Sequence, residues 1–211
     1  MRNKFDMQLG MLNEQLIHMG ELCELAINRA TKALQNGSIE EAKNVIDADQ
    51  EVDQMEKDIE RLCLKLLLQQ QPVARDLRQI SAALKMITDM ERIGDQASDI
   101  AEIIISEKKS QVTDLKKIGS MSEAAAKMVR DSVTSYVNKD LELCRRVMEA
   151  DDAVDIMFEE TKKELIERLQ TTKVIRERSD RSDHGCQISG AYRRPCHQYC
   201  RVGRVFDHWH P

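Results

Sequence analysis

The chain has 211 residues, of which 41% are hydrophobic, 33% charged and only 3% aromatic, and its net charge is −5. That length fits one soluble domain or two small ones with a real core, and the composition excludes collagen-like and fully disordered chains. Mixed charge with an acidic balance speaks against nucleic acid as the partner, no apolar run approaches the roughly 20 residues that span a bilayer, and six cysteines do not make a disulfide scaffold. The opening MRNKFDMQLG lacks the apolar stretch of a secretory signal, so the expected location is cytoplasmic.

Residues 3–36 carry apolar side chains at helical spacing (Leu9, Leu12, Leu16, Met19, Leu22, Ala26) and stop at Asn36-Gly37. Ser38-Ile39-Glu40-Glu41 fits a capping box, with the Ser38 hydroxyl accepting an orphan N–H and Glu41 reaching back to the cap. Val45, Val52, Ile59 and Leu66 then repeat every seven residues, interleaved with Ala48, Met55 and Leu62, which predicts one long helix with a coiled-coil-like seam. Gln70-Gln71-Pro72 ends it, because proline disfavours helix at the residue before it. A third helix is expected from about 72 to 106, a polar linker over 108–120, a second capping box at Ser120-Met121-Ser122-Glu123, and two further helices over about 121–138 and 140–172. No run reads as a strand, and the fold class is all-α.

Displaced by 102 residues, LQNGSIEEAKNVIDADQEVDQME lies without a gap over YVNKDLELCRRVMEADDAVDIMF. Ala48-Asp49 meets Ala150-Asp151, and Val52-Asp53 meets Val154-Asp155. Shared apolar positions are expected of any two capped helices; shared aspartates are not. The pattern implies two tandem three-helix repeats, laid out as a first unit over 1–107, a linker over 108–120, an incomplete second unit over 121–177 and an aberrant tail over 178–211.

Carboxylates are the candidate chemistry. On the third helix the stripe Leu77, Ile80, Leu84, Ile87 is expected to face the bundle, and at about 100° per residue Glu91 and Asp95 fall within roughly 20° of Leu84. Asp99 follows one turn on, and Asp49, Asp53 and Glu56 flank the seam of the preceding helix. Inward carboxylates repel unless protonated or neutralised, and their hard oxygens suit magnesium, manganese, calcium or iron. The competing reading makes them solvated residues paired with Arg75, Arg78 or Arg92.

The segment PVARDLRQISAALKMITDMERIGDQASDIAE, with DADQEVDQMEKDIE before it and EADDAVDIMFEE one repeat later, resembles the PhoU family of phosphate-uptake regulators over residues 1 to about 176. The resemblance implies two three-helix bundle repeats, a homodimer, and no enzymatic activity. It implies a negative regulator of phosphate uptake and of the phosphate-starvation response. Such a regulator acts as an adaptor between a phosphate ABC transporter and its histidine sensor kinase, and meets the membrane only through those partners. Some members bind iron or zinc through Glu-x-x-x-Asp motifs, which fall here on Glu91 and Asp95. Asp99, Asp49 and Asp53 are further candidates, Asp151 and Asp155 form an incomplete second set, and the ion implied is iron, zinc, manganese or magnesium. The alternatives are a carboxylate-cluster metal protein and a purely structural coiled-coil scaffold.

The end of the chain departs from that pattern. The last 35 residues hold four of the five histidines, three of the six cysteines and the only tryptophan. No second Glu-Arg-Ile-Gly-Asp is present. If each codon takes the last two bases of one residue's codon and the first base of the next, residues 188–202 can encode YLERIGDHAINIAEW, and residues from Arg178 onward GAIAAIMVAK. A frameshift near Arg178 therefore accounts for the missing sixth helix. Its glutamate would fall at position 190, whereas the offset from Glu91 gives 193. On this reading Cys186, Cys196, His197 and Cys200 are accidental neighbours rather than zinc ligands, and the tail is expected to be disordered. The second unit should then be destabilised, with its seam at Val147 and Val154 partly exposed.

Overall fold

The computed structural model describes residues 2–70, 73–106 and 115–179. Among them all regular structure is helix: α1 (Arg2–Asn36), α2 (Ile39–Gln70), α3 (Ala74–Ser106), α4 (Leu115–Asn138) and α5 (Leu141–Ser179). None of these helices is long and apolar enough to cross a membrane. Residues 107–114, which include the first part of the expected linker over 108–120, and the tail from 180 onward with its four zinc-like ligands lie outside the described residues, while 115–120 of that linker are helical in α4.

Helices α1, α2 and α3 pack on one another as a three-helix unit, α4 packs on α1, and α5 packs on α4. The heptad positions of α2 close the core as read, with Val45, Val52, Ile59 and Leu66 all buried, while Ala48, Met55 and Leu62 sit at its edge. On α1 the buried line is Leu12, Leu16, Met19, Cys23, Ile27, Ala30 and Ala33. On α3 the buried line is Ile80, Ala83, Ile87, Met90 and Ile93, continuing through Ala97 and Ala101. Leu77 is 46% exposed and Leu84 half-buried, so they border the core of α3 instead of facing it. A face centred on Ile80, Ala83 and Ile87 uses the same helical period but is turned by about half a residue, roughly 50°, from the expected stripe.

The two interhelical turns repeat each other through the 102-residue offset. Gly37 (φ 61°) and Lys139 (φ 56°) both take the left-handed conformation after a helix end. Ser38 N–H donates to the Ala33 carbonyl at 3.1 Å, and Asp140 N–H to the Ser135 carbonyl at 2.9 Å, the six-to-one bond of a Schellman motif. The next helix is capped in each case: Glu41 N–H donates to Ser38 Oγ at 3.2 Å, and Leu143 N–H to Asp140 Oδ1 at 3.0 Å. The reciprocal half of the first capping box is absent, because the Ser38 N–H is taken by Ala33 and the Glu41 carboxylate accepts from Asn36 Nδ2 at 3.3 Å.

Two boundaries differ from the sequence reading. Helix α4 starts at Leu115, so Ser120 and Ser122 lie inside it and not at its N-terminus; Ser122 Oγ donates back to the Gly119 carbonyl at 2.8 Å. Ile118 is buried against the core and anchors the extra turn. Helix α5 continues to Ser179, beyond the expected 172. The seam of α5 also differs from expectation: Val147 and Val154 are only 5% and 2% exposed, because they share a core with Ile118, Met121, Ala125 and Met128 of α4.

Candidate functional site

Asp49 and Asp53 occupy one face of α2 a turn apart, and Asp95 faces them from α3. Each can place a carboxylate oxygen so that all three lie within 4.8 Å of one another. That is roughly the span of opposite ligands around one oxygen-bound cation. Asp49 and Asp53 are half-buried and Asp95 is exposed, so the group forms a notch at the rim of the α2–α3 seam.

What brings the helices this close is Gly94. A Cβ there would stand 2.6 Å from Asp49 Oδ1 and 3.2 Å from Val52 Cγ1, so the absence of a side chain lets α3 pass beside the carboxylate without displacing it. Asp49 Oδ1 is buried and has no hydrogen-bond partner. Ser98 hydrogen-bonds the same carboxylate. Burial first, then the charges of Asp95, Asp53 and Asp99, push the Asp49 carboxyl up to about 6, against the Ser98 bond, which acts the other way.

The acidic line continues along the seam. Burial followed by Glu60 and Asp53 raises Glu56 above the usual carboxylate range. Burial followed by Asp95, Glu56, Asp53 and Asp49 raises Glu91, and burial followed by Asp53 and Asp99 raises Asp95. These carboxyls are thus all held toward protonation, by burial first and then by one another. Lys57 lies 3.8 Å from Asp53 on the exposed side and offsets part of that charge. The arginines of the competing reading do not: Arg92 sits 3.7 Å from Asp89, and no ion pair joins Arg75 or Arg78 to the cluster among the described residues.

Of the residues singled out from sequence, then, the structure gathers Asp49, Asp53 and Asp95. Glu91 contributes charge from one turn away, and Asp99 from the next turn in the other direction. Glu91 and Asp95 follow the direction of Leu84, which is itself half-buried, and that explains their place at the rim. Asp151 is half-buried and Asp155 exposed on α5. Ser98 was missed, since a serine in a helix carries no sequence signal that it faces a carboxylate on another helix. The orphaned Asp49 oxygen and an all-carboxylate donor set fit a hard cation. Elsewhere among the described residues, Cys23 and Cys63 are buried, with burial pushing their thiols up to about 12 and about 11, Cys144 is half-buried, and His18 is exposed beside Glu21.

A PhoU domain model matches residues 16–104 and, a second time, residues 118–190. The chain belongs to the PhoU family. The second match runs past the expected limit near 176, yet stops short of the position that the repeat offset assigns to the end of the first. The chain is 40% identical over 154 residues to the phosphate-specific transport system accessory protein PhoU homolog of Aquifex aeolicus, covering 72% of this chain and 70% of that one. It is 34% identical over 174 residues to the homolog of that name from Clostridium acetobutylicum, covering 82% and 80%. The crystal structure of PhoU from Pseudomonas aeruginosa matches with a TM-score of 0.78 at 27% identity, over 97% of this chain and 92% of that one. The phosphate transport system regulatory protein PhoU from Streptococcus pneumoniae matches with a TM-score of 0.78 at 21% identity, over 96% and 90%, a likeness of fold. Both turns, both caps and the aspartate pairs therefore sit in a doubled PhoU arrangement.

Proposed function

We propose that this chain is a regulatory accessory of phosphate-specific transport. It damps phosphate uptake and the phosphate-starvation response as a non-enzymatic adaptor between a phosphate ABC transporter and a histidine sensor kinase. The observation that carries this reading is the double PhoU match across both helical units, together with relatives named as accessory proteins of that transport system. The adaptor works as a cytoplasmic homodimer and reaches the membrane through its partners.

Asp49, Asp53 and Asp95 would hold a divalent cation, with Glu91, Asp99 and Glu56 supplying surrounding negative charge. A bound iron, zinc, manganese or magnesium ion would supply charge neutralisation. Around it, Gly94 sets the spacing of α2 and α3 and Ser98 fixes one Asp49 oxygen. The role of the site is to lock the register of the two helices, not to transform a substrate. The charged helical faces around it are then presented in one arrangement to a partner.

Expression of the chain in a bacterium lacking its own regulator of this type tests the proposal, with labelled phosphate uptake measured in phosphate-rich medium. The expected result is lower uptake, with the phosphate transporter retained on a tagged copy of the chain. Unchanged uptake and no retained transporter, from a chain shown by circular dichroism to be helical, contradict it.

A further inference from the structure

The outer face of the α2–α3 seam changes character along its length. On α2, Asp53, Glu56, Glu60, Leu64 and Leu67 follow one another at three- and four-residue spacing and so share a face. On α3, Leu77, Leu84 and Glu91 recur every seven residues, and Asp95 follows one turn on. The two helices pack side by side with Asp49 beside Gly94 and are joined near residue 72, so the end of α2 lies beside the start of α3. One end of the face is acidic: the charges of Asp53 and Glu56 both reach Glu91 across the seam. The other end is apolar and open. Leu64 is 47% exposed and Leu68, one turn further, 83%; Leu77 is as open as Leu64, and Leu67 and Leu84 are half-buried.

Lys57 pairs with Asp53, and Lys85 and Arg92 pair with Asp89, which leaves Glu56, Glu60 and Glu91 without an ion pair among the described residues. These three lie outside the three-aspartate group, so a cation held there leaves their charge for another ligand. The second unit is built on α1 through α4 and leaves this seam open. Charge decides what fits. An anionic lipid surface or a nucleic acid is repelled by the acidic half. A second copy offering the same face would set carboxylates against carboxylates or against leucines. A helix whose stripe is apolar at one end and rich in lysine or arginine at the other matches both halves. We propose that the α2–α3 face running from Glu56, Glu60 and Glu91 to Leu64, Leu68 and Leu77 is the docking surface for a basic amphipathic helix of a partner protein. This gives the adaptor role proposed above its surface and rests on that role. Binding to a defined peptide reads the surface alone, whereas phosphate uptake reads the role.

The test uses the full chain and a fluorescently labelled Leu/Lys/Ala peptide of about 18 residues, roughly 27 Å of helix. One stripe of the peptide carries leucine in its first half and lysine in its second. Anisotropy is expected to show saturable binding, weakened by salt, and at least tenfold tighter than that of a peptide of the same composition with leucine and lysine interleaved around the helix. Leu64→Lys and Glu60→Lys, both at exposed positions, should each weaken binding at least fivefold while circular dichroism stays unchanged. Leu25→Lys, at an equally open leucine on α1, should leave it as it is. No binding by the full chain, equal binding of the interleaved peptide, or a loss in Leu25→Lys as large as in Leu64→Lys overturns the proposal. So does undiminished binding by both Leu64→Lys and Glu60→Lys. Self-association of the chain that Leu64→Lys abolishes overturns it too, because a second copy would then occupy the face.

Discussion

At the scale of single residues, the feature that organises the site is a missing methyl group. Gly94→Ala would gain about 1 kcal/mol of helix propensity, set against about 1–3 kcal/mol of overpacking at Val52 and Asp49. The Asp49 carboxylate can swing away more readily than a buried valine can move, so stability should fall by no more than about 2 kcal/mol in urea titrations. Cation affinity should fall by tenfold or more in calorimetry, because the displaced oxygen belongs to the site. Asp49 also gives the cation-free protein a pH signature. Its folded pKa, about 6, lies above the ordinary 3.8. The folded state thus holds the proton more tightly, and stability falls as pH rises from about 4 to about 6. After discounting for solvent screening at a half-open site, the contribution is on the order of 1 kcal/mol. Melting curves at pH 5 and pH 7 should differ less in Asp49→Asn than in the parent chain. The acidic character of this face was legible in the sequence because i, i+4 spacing fixes which side chains share a helix face. Its pairing of Asp95 with Asp49 and Asp53 was not, because the register between two helices depends on where Gly94 lets them touch.

At the scale of elements, the repeated turns carry the clearest consequence. Gly37 adopts the left-handed conformation without penalty, whereas Lys139 holds the same φ with a side chain attached. Such a residue gives up about 1 kcal/mol relative to glycine. Lys139→Gly should therefore raise the midpoint of chemical unfolding by an amount equivalent to about 1 kcal/mol, a rare stabilising glycine. Tyr136 ties α4 to the first unit by donating its hydroxyl to the Gln79 carbonyl at 2.6 Å, and burial drives its phenol well above the usual range. Tyr136→Phe should cost about 0.5–1.5 kcal/mol in the same measurement. The sequence was explicit at residues 36–41, where Asn-Gly and a capping serine coincide, and misleading at Ser120-Met121-Ser122-Glu123. There the same residue types occur inside a helix, because buried Ile118 extends α4 upstream. Local capping chemistry marks a boundary only where packing does not override it.

At the scale of the molecule, the two units are unequal. Helix α2 is held between α1 and α3, while α5 packs on α4. The closed Val147–Val154 side joins α5 to the core that α4 shares with the first unit, but the stripe carrying Met148 and Asp155 is open. Native-state hydrogen exchange should accordingly be at least tenfold faster in α5 than in α3, and equal protection would show the second unit to be as well supported as the first. The doubled helical plan was readable because caps, heptads and aspartates recur at one offset. The burial of the α5 seam was not, since the sequence alone does not reveal that α4 suffices to close one side of it.

The central proposal is that Asp49, Asp53 and Asp95 hold one cation that locks α2 against α3. The most direct measurement is calorimetric titration of the chelator-treated chain with manganese, run beside Asp49→Asn and Asp95→Asn. One saturable site, accompanied by a rise in melting temperature and lost in both variants, is the predicted result. Manganese binding that is absent, or that persists unchanged in both variants, would contradict the account.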